Sequence, residues 1–207
     1  MKVGLLHGWG FDRHTWDAVI PLLDGLDCRT SDRGYFGAPC AVETADIVVA
    51  HSLGTLHALA DPPRGCRALV AINGFDCFAQ RDDFPDGVSP LSTGRLAERL
   101  AADPAAELTR FRTRCGGTEP PPITDRAALF ADLEFLREWD GRGRWSGPLL
   151  LLGGAEDPVV TPAHQQACFA DRPDARRLTV PGQAHLLPLT SPADCAAAIR
   201  AMADSIA

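Results

Sequence analysis

Ile47-Val48-Val49-Ala50-His51-Ser52-Leu53-Gly54 is the stretch on which the reading of the fold turns. Its β-branched run reads as a buried strand. The strand passes almost at once into Ser52, and residues 52–60 read as a helix that Pro62-Pro63 stops. Small residues, Ala50 and Gly54, stand two positions on either side of Ser52. A chain that turns sharply from strand to helix needs small residues there, and such a turn lifts the hydroxyl above the sheet. The helix N-terminus then faces any anion that forms at that point. Glycine is usual at the first of these places, and Ala50 still leaves room. The plain alternative is a buried serine that caps a helix.

Three further stretches also follow predicted strands. His7-Gly8-Trp9-Gly10 comes directly after residues 3–6. A His-Gly turn there can offer a backbone N–H to a developing oxyanion, the second coming from the residue after the nucleophile. Trp9 and Leu53 are the donors so assigned; an ordinary glycine turn is the alternative. Gly153-Gly154-Ala155-Glu156-Asp157-Pro158 follows the strand at 148–152, and a carboxylate on this loop can orient a histidine. Asp157 is the choice, with Glu156 left open beside it and plain turn chemistry as the other reading. Gly182-Gln183-Ala184-His185 follows the strand at 177–180 and supplies the histidine. Ser52, Asp157 and His185 thus form the candidate catalytic set. A serine hydroxyl is a weak nucleophile that needs a base, and the base needs an acid to hold its tautomer. His7 and His51 read as positioning or packing residues, while His14, His57 and His164 have no supporting context.

Outward from these motifs, short apolar strands alternate with longer mixed segments, the pattern of an α/β protein with a mostly parallel sheet flanked by helices. Residues 28–31 and 68–72 are the remaining strands, the latter ending at the Asn73-Gly74 turn signal. Residues 15–26 have near-helical apolar spacing, weakened by Pro21. From Phe75 to Gly147 no strand is evident; residues 91–100, 105–115 and 127–139 read as amphipathic helices. A closing helix spans 193–206, with Ser191 as N-cap and Pro192 at its first position. The organisation expected is a core of residues 1–74 and 148–207, with a helical lid, 75–147, inserted after the strand ending near Asn73. Ligands bind at the C-terminal edge of such a sheet.

The chain has 207 residues, 45% apolar and 23% charged, which is one domain with a buried core. A net charge of −7 makes a poor general binder of nucleic acid or anionic membrane. No apolar run approaches the roughly 18–20 residues of a membrane span, and no signal peptide is expected at the N-terminus. The seven cysteines are scattered, odd in number and without a CxxC. They argue against a disulfide framework or a zinc site and fit a cytoplasmic location.

With these motifs in the order Ser52, Asp157, His185, the sequence resembles the α/β-hydrolase superfamily over essentially its whole length. It starts at the strand before the oxyanion turn, and 37–46 leaves little room for the usual helix. A closer resemblance is to the family of pimeloyl-[acyl-carrier protein] methyl ester esterases of biotin synthesis. It is carried by Trp9 in His7-Gly8-Trp9-Gly10, by Ile72-Asn73-Gly74-Phe75-Asp76-Cys77-Phe78, and by the stretches 79–87, 108–117 and 133–140. The resemblance implies a serine esterase that hydrolyses a methyl ester at the far end of a carrier-bound dicarboxylate chain. It implies no metal or organic cofactor, an acidic acyl-carrier protein as partner, and a monomer more than an oligomer. An apolar channel would then draw on Phe75, Phe78, Phe111, Leu129 and Leu133, residues that would otherwise be plain lid core. Arg110, Arg112 and Arg114, extended by Arg95 and Arg99, would dock the carrier, unless they form an ordinary solvated helix face. The alternatives are a hydrolase acting on a small free ester or metabolite, such as a menaquinone-pathway-like or carbon–carbon hydrolase, and a non-catalytic receptor on the same scaffold.

Overall fold

A computed structural model describes residues 1–207. Six strands, β1 (Lys2–Leu6), β2 (Asp27–Thr30), β3 (Ile47–His51), β4 (Ala68–Ile72), β5 (Leu149–Gly154) and β6 (Arg176–Val180), form one sheet. Its order is β2-β1-β3-β4-β5-β6 and every pairing is parallel. Strands that all run one way put the loops after β1, β3, β4, β5 and β6 along a single edge. The register sharpens this: Leu6 pairs with Ala50 and His51 with Ile72, so the three loops start almost level.

The sheet is covered on both faces, which is why β3 and β4 are buried at every position. Side chains alternate between two cores. Ile47, Val49, Val70 and Leu150 pack with α7 (Pro192–Ser205), through Ile199 and Met202. Val48, Ala50 and Leu69 join the opposite core with α1 (Leu53–Ala60) and the helices that follow β4. Those helices are α2 (Pro90–Ala102), α3 (Pro104–Cys115) and α4 (Arg126–Glu138). Local chemistry sets their ends. Ser89, Asp103 and Asp125 accept backbone N–H groups at the three N-caps, prolines open α2 and α3, and Gly116 closes α3 at φ 90°. α5 (Pro162–Ala167) and the short α6 (Leu187–Thr190) complete the chain.

The helical expectation for residues 15–26 is corrected. The segment breaks into two 3₁₀ turns, Arg13–Trp16 and Ile20–Leu22, and Pro21 lacks the N–H a continuous helix would use there. Its apolar spacing still reports packing, since Trp16, Val19 and Leu23 are buried against the sheet. At α7, Ser191 occupies the N-cap, but its hydroxyl donates to Asp194 at 2.6 Å instead of capping a backbone amide.

One polar cluster ties α4 to the sheet side. Asp132, 2% exposed, accepts two hydrogen bonds from the Arg33 guanidinium at 2.8 Å, one from Tyr35 Oη at 2.5 Å and one from His57 Nε2 at 3.1 Å. Burial opposes the charge, but the hydrogen bonds from His57, Arg33 and Tyr35 outweigh it and hold the carboxyl well below its usual range. A depressed carboxylate stabilises the fold above its unfolded-state value and loses that contribution as pH falls into the acid range. Asp132→Ala should therefore cost about 3 kcal/mol at neutral pH, because it leaves the buried Tyr35 hydroxyl without its acceptor and breaks the bonds from Arg33 and His57. That is a melting-temperature drop of roughly 6–12 °C for a chain of this size, and the gap to the parent should narrow in thermal melts run at increasingly acid pH.

Candidate active site

Ser52 sits at φ 52°, a left-handed conformation that a non-glycine residue adopts only under constraint. Three close contacts impose it. Ser52 N donates to Ile72 O at 3.1 Å, pinning the turn to β4. A Cβ on Gly54 would lie 2.6 Å from Leu6 O, so the turn is pressed onto the end of β1. A Cβ on Gly8 would lie 2.9 Å from His51 Nδ1 and 3.0 Å from Ser52 Cβ. The His7-Gly8-Trp9 turn and the serine turn therefore fit together only with glycine at both places.

The hydroxyl so placed meets the histidine loop. His185 Nε2 lies 3.0 Å from Ser52 Oγ, and its Nδ1 lies 2.8 Å from Asp157 Oδ2. His185 is fully buried, Asp157 3% exposed and Ser52 7% exposed. Asp157 Oδ1 accepts the backbone N–H groups of Val159 at 2.8 Å and Val160 at 2.9 Å. Burial opposes ionisation of Asp157, yet the His185 ring and these amides together keep it below the ordinary carboxylate range. A charged Asp157 makes Nδ1 the donor, which leaves Nε2 free to accept the serine proton. Glu156 is exposed and makes no bond to the ring; Asp157 is the carboxylate that meets it.

His51 supports the loop from behind. Its Nε2 donates to the His185 carbonyl at 2.9 Å, and its Nδ1 is buried without a partner. Burial, with His185 beside it, pushes His51 down to about 3, so the ring stays neutral. Trp9 stands in the turn after β1 and Leu53 directly follows Ser52, and the Trp9 N–H makes no hydrogen bond to another backbone group. Leu53 opens α1, where an N–H has no intrahelical partner.

Beside Ser52 opens a cavity of about 130 Å³ whose wall includes Trp9, Phe78, Phe111, Leu133, Leu136 and Val159, with Arg99 and Arg114 among the polar residues. Trp9 joins this wall to α4 by donating Nε1–H to Leu129 O at 2.9 Å, and it meets Phe111 edge-on at 5.0 Å between centroids. A larger cleft, about 220 Å³, lies beside β1 and α1 but contains none of Ser52, Asp157 and His185. Its polar side chains His7, Asp32, Arg33 and His57 are engaged with other groups of the protein.

No protein-family model matches the chain. Among curated proteins, the pimeloyl-[acyl-carrier protein] methyl ester esterase of Klebsiella pneumoniae subsp. pneumoniae is 30% identical over 75% of each chain. The chain belongs to that esterase family. The protein of the same name from Aromatoleum aromaticum is 29% identical over 94% of this chain and 95% of its own. Among solved structures, an esterase from Exiguobacterium antarcticum superposes with a TM-score of 0.80 at 18% identity, covering 98% of this chain and 91% of that one. A bromoperoxidase from Bacillus anthracis gives 0.79 at 16% identity, with the same two coverages. At these identities the structural matches speak to the α/β-hydrolase fold alone.

Against this family's frame, the expected residues divide. Ser52, His185 and Asp157 are joined by hydrogen bonds, Trp9 shares the cavity wall with Ser52, and Leu53 is the residue after it. Of the channel residues, Phe78, Phe111 and Leu133 line the cavity, whereas Phe75 and Leu129 are fully buried core and do not reach it. The arginine cluster needs correction at Arg112, which is 8% exposed. Its guanidinium donates to Thr118 O and Gly10 O and lies 4.8 Å over the Phe11 ring, so it holds α3 to the turn after β1 rather than facing a partner. Arg99 and Arg110 both bond Glu107, and Arg114 donates to Pro158 O. Arg95 is exposed.

Gly54→Val should shift the elbow away from Leu6 O, because backbone cannot yield as a side-chain tip can. The expected result is a lower melting temperature, with loss of the Ser52–His185 approach seen as weaker labelling of Ser52 by a fluorophosphonate.

Proposed function

We propose that the protein is a serine carboxylesterase that hydrolyses the methyl ester of pimeloyl-[acyl-carrier protein] in biotin synthesis. The observation that carries this is the hydrogen-bonded line from Ser52 through His185 to Asp157, opening on an apolar cavity under the inserted helices. The names of the relatives, among them a bifunctional biotin-synthesis protein of Cellvibrio japonicus at 24% identity, support the substrate.

In the first step, His185 Nε2 takes the Ser52 proton as Oγ bonds to the ester carbonyl carbon. Negative charge gathers on the carbonyl oxygen, where Trp9 N–H and Leu53 N–H receive it. The intermediate collapses, the C–O bond to the methoxy group breaks, and His185 returns its proton to give methanol. A water molecule then attacks the acyl-serine with the same base, releasing the carboxylate and restoring Ser52. Asp157 stays charged throughout and stabilises the imidazolium.

Residues 75–147 act in this reading as the lid. The cavity has room for about four water-sized groups. That takes the ester head and a few methylenes, and the remainder of the acyl chain runs outward past Arg99 and Arg114. Arg95, Arg99, Arg110 and Arg114 then face the acidic carrier; Arg112 is removed from that set by its burial. No helix is long and apolar enough to cross a membrane.

Carrier-bound pimeloyl methyl ester and p-nitrophenyl acetate should both be turned over by the parent. Ser52→Ala should lose at least about 10³-fold on each while melting like the parent; retained turnover in a folded Ser52→Ala protein would contradict the mechanism. Turnover of the acetate alone would leave a serine hydrolase of small free esters. Arg95→Glu with Arg110→Glu, neither of which lines the cavity, should lower kcat/KM about tenfold for the carrier substrate, a loss of ~1.4 kcal/mol, and leave the acetate unchanged. Equal losses on both would remove the docking role.

A further inference from the structure

Asn73 directly follows β4 and stands behind the acid, outside the cavity beside Ser52. It is 1% exposed and held at φ 46°. Its own N–H donates to Leu152 O at 2.7 Å, which fixes the turn to β5. The side-chain Nδ2 donates to Asp157 Oδ2 at 2.8 Å and to Ala184 O at 3.3 Å. Asp157 Oδ2 is also the oxygen that accepts His185 Nδ1–H, and Ala184 immediately precedes His185. One amide therefore ties the acid to the loop that carries the base.

The remainder of the residue is unfavourable by itself. Asn73 Oδ1 is buried with no partner. Turning the amide over would set that oxygen against a carboxylate oxygen and a carbonyl, so the donor side dictates the orientation. A left-handed backbone and an orphaned buried acceptor are two local costs on one residue that touches the acid. Such costs persist where the surroundings demand the conformation. The next residue shows the demand: a Cβ on Gly74 would lie 2.2 Å from Thr55 Oγ1, so the turn is pressed onto α1, the helix that begins at the serine elbow. Asn73 is thereby fixed relative to Ser52 and Asp157 together.

We propose that Asn73 is a positioning residue for the Ser52 reaction, clamping the Asp157 carboxylate to the His185 loop so that the imidazole stays aligned with Ser52 Oγ. This deepens the esterase reading and rests on it. Both oxygens of Asp157 are then held, Oδ1 by the Val159 and Val160 amides and Oδ2 by Asn73 and His185. Without the amide, Oδ2 is anchored only by the ring it is meant to orient. The titratable groups around Asp157 are His185, His51, His164 and Cys115, none of them a second carboxyl.

The test is the pH dependence of p-nitrophenyl acetate hydrolysis by the parent, Asn73→Gly, Asn73→Asp and Ser52→Ala, with thermal melts of each. Glycine is at ease at φ 46°, so Asn73→Gly keeps the turn and deletes only the amide. It should lower kcat on the order of 10- to 100-fold with KM nearly unchanged, the cost of a small misalignment. Asn73→Asp matches the shape of asparagine. While protonated it can donate to Asp157; once ionised it repels it. Its activity relative to the parent should fall by about tenfold or more between about pH 5 and pH 9, a tilt that a merely structural role would not produce. Parental kcat in Asn73→Gly, or an Asn73→Asp profile parallel to the parent's, would overturn the inference while leaving the esterase reading intact. Undiminished turnover in Ser52→Ala would overturn both.

Discussion

The turn at Ser52 is the constraint from which the remainder of the site follows. A residue at φ 52° between a fully buried strand and a helix has nowhere to relax, because β1 presses on Gly54 and β4 holds the Ser52 amide. Strain of this kind costs about 1–3 kcal/mol and survives only where the surroundings over-determine it. What it supplies is position. The hydroxyl stands above the sheet edge, the first N–H of α1 is left without a partner, and the His7-Gly8-Trp9 turn lies alongside. Parallel pairing on both sides brings Asn73, Asp157 and His185 to the same edge.

The helices inserted after β4 are joined to this edge by polar anchors as well as by apolar packing. Asp132 on α4 gathers Arg33, Tyr35 and His57 from the sheet side. Trp9 reaches α4 through Leu129 O, and Arg112 on α3 reaches Gly10 O. The last two contacts lead into the turn that presents the Trp9 N–H. These helices thus both roof the cavity and brace the turn after β1. A substitution in α3 or α4 can then disturb catalysis without touching substrate.

Much of this was legible in the sequence, for particular reasons. The strand and helix boundaries at Ile47 to Ala60 follow from β-branched residues meeting a small-residue turn. Asp157 and His185 stand out because each follows an apolar strand in a loop with glycine. What escaped was what depends on contacts distant in sequence. Asn73 read as a turn residue, since nothing local announces an amide aimed at residue 157. His57 had no context until Asp132, 75 residues away, came to meet it. Arg112 looked like one of three exposed arginines at alternate positions, and only the fold shows it turned inward over Phe11. At 15–26 the apolar spacing marks the packing of Trp16, Val19 and Leu23 but not a helix, because two separate 3₁₀ turns bury the same side chains. α5 carries a local signal in Thr161-Pro162, with Thr161 accepting from His164 N, but at six residues it is too short to show an apolar period.

If the turn makes Ser52 the activated nucleophile of the chain, peptide mass spectrometry after brief exposure of the native protein to a fluorophosphonate should show a single adduct, on the peptide that contains Ser52, and none when the protein is unfolded before exposure. An adduct centred on another residue, or no adduct on a protein that retains its fold, would contradict it.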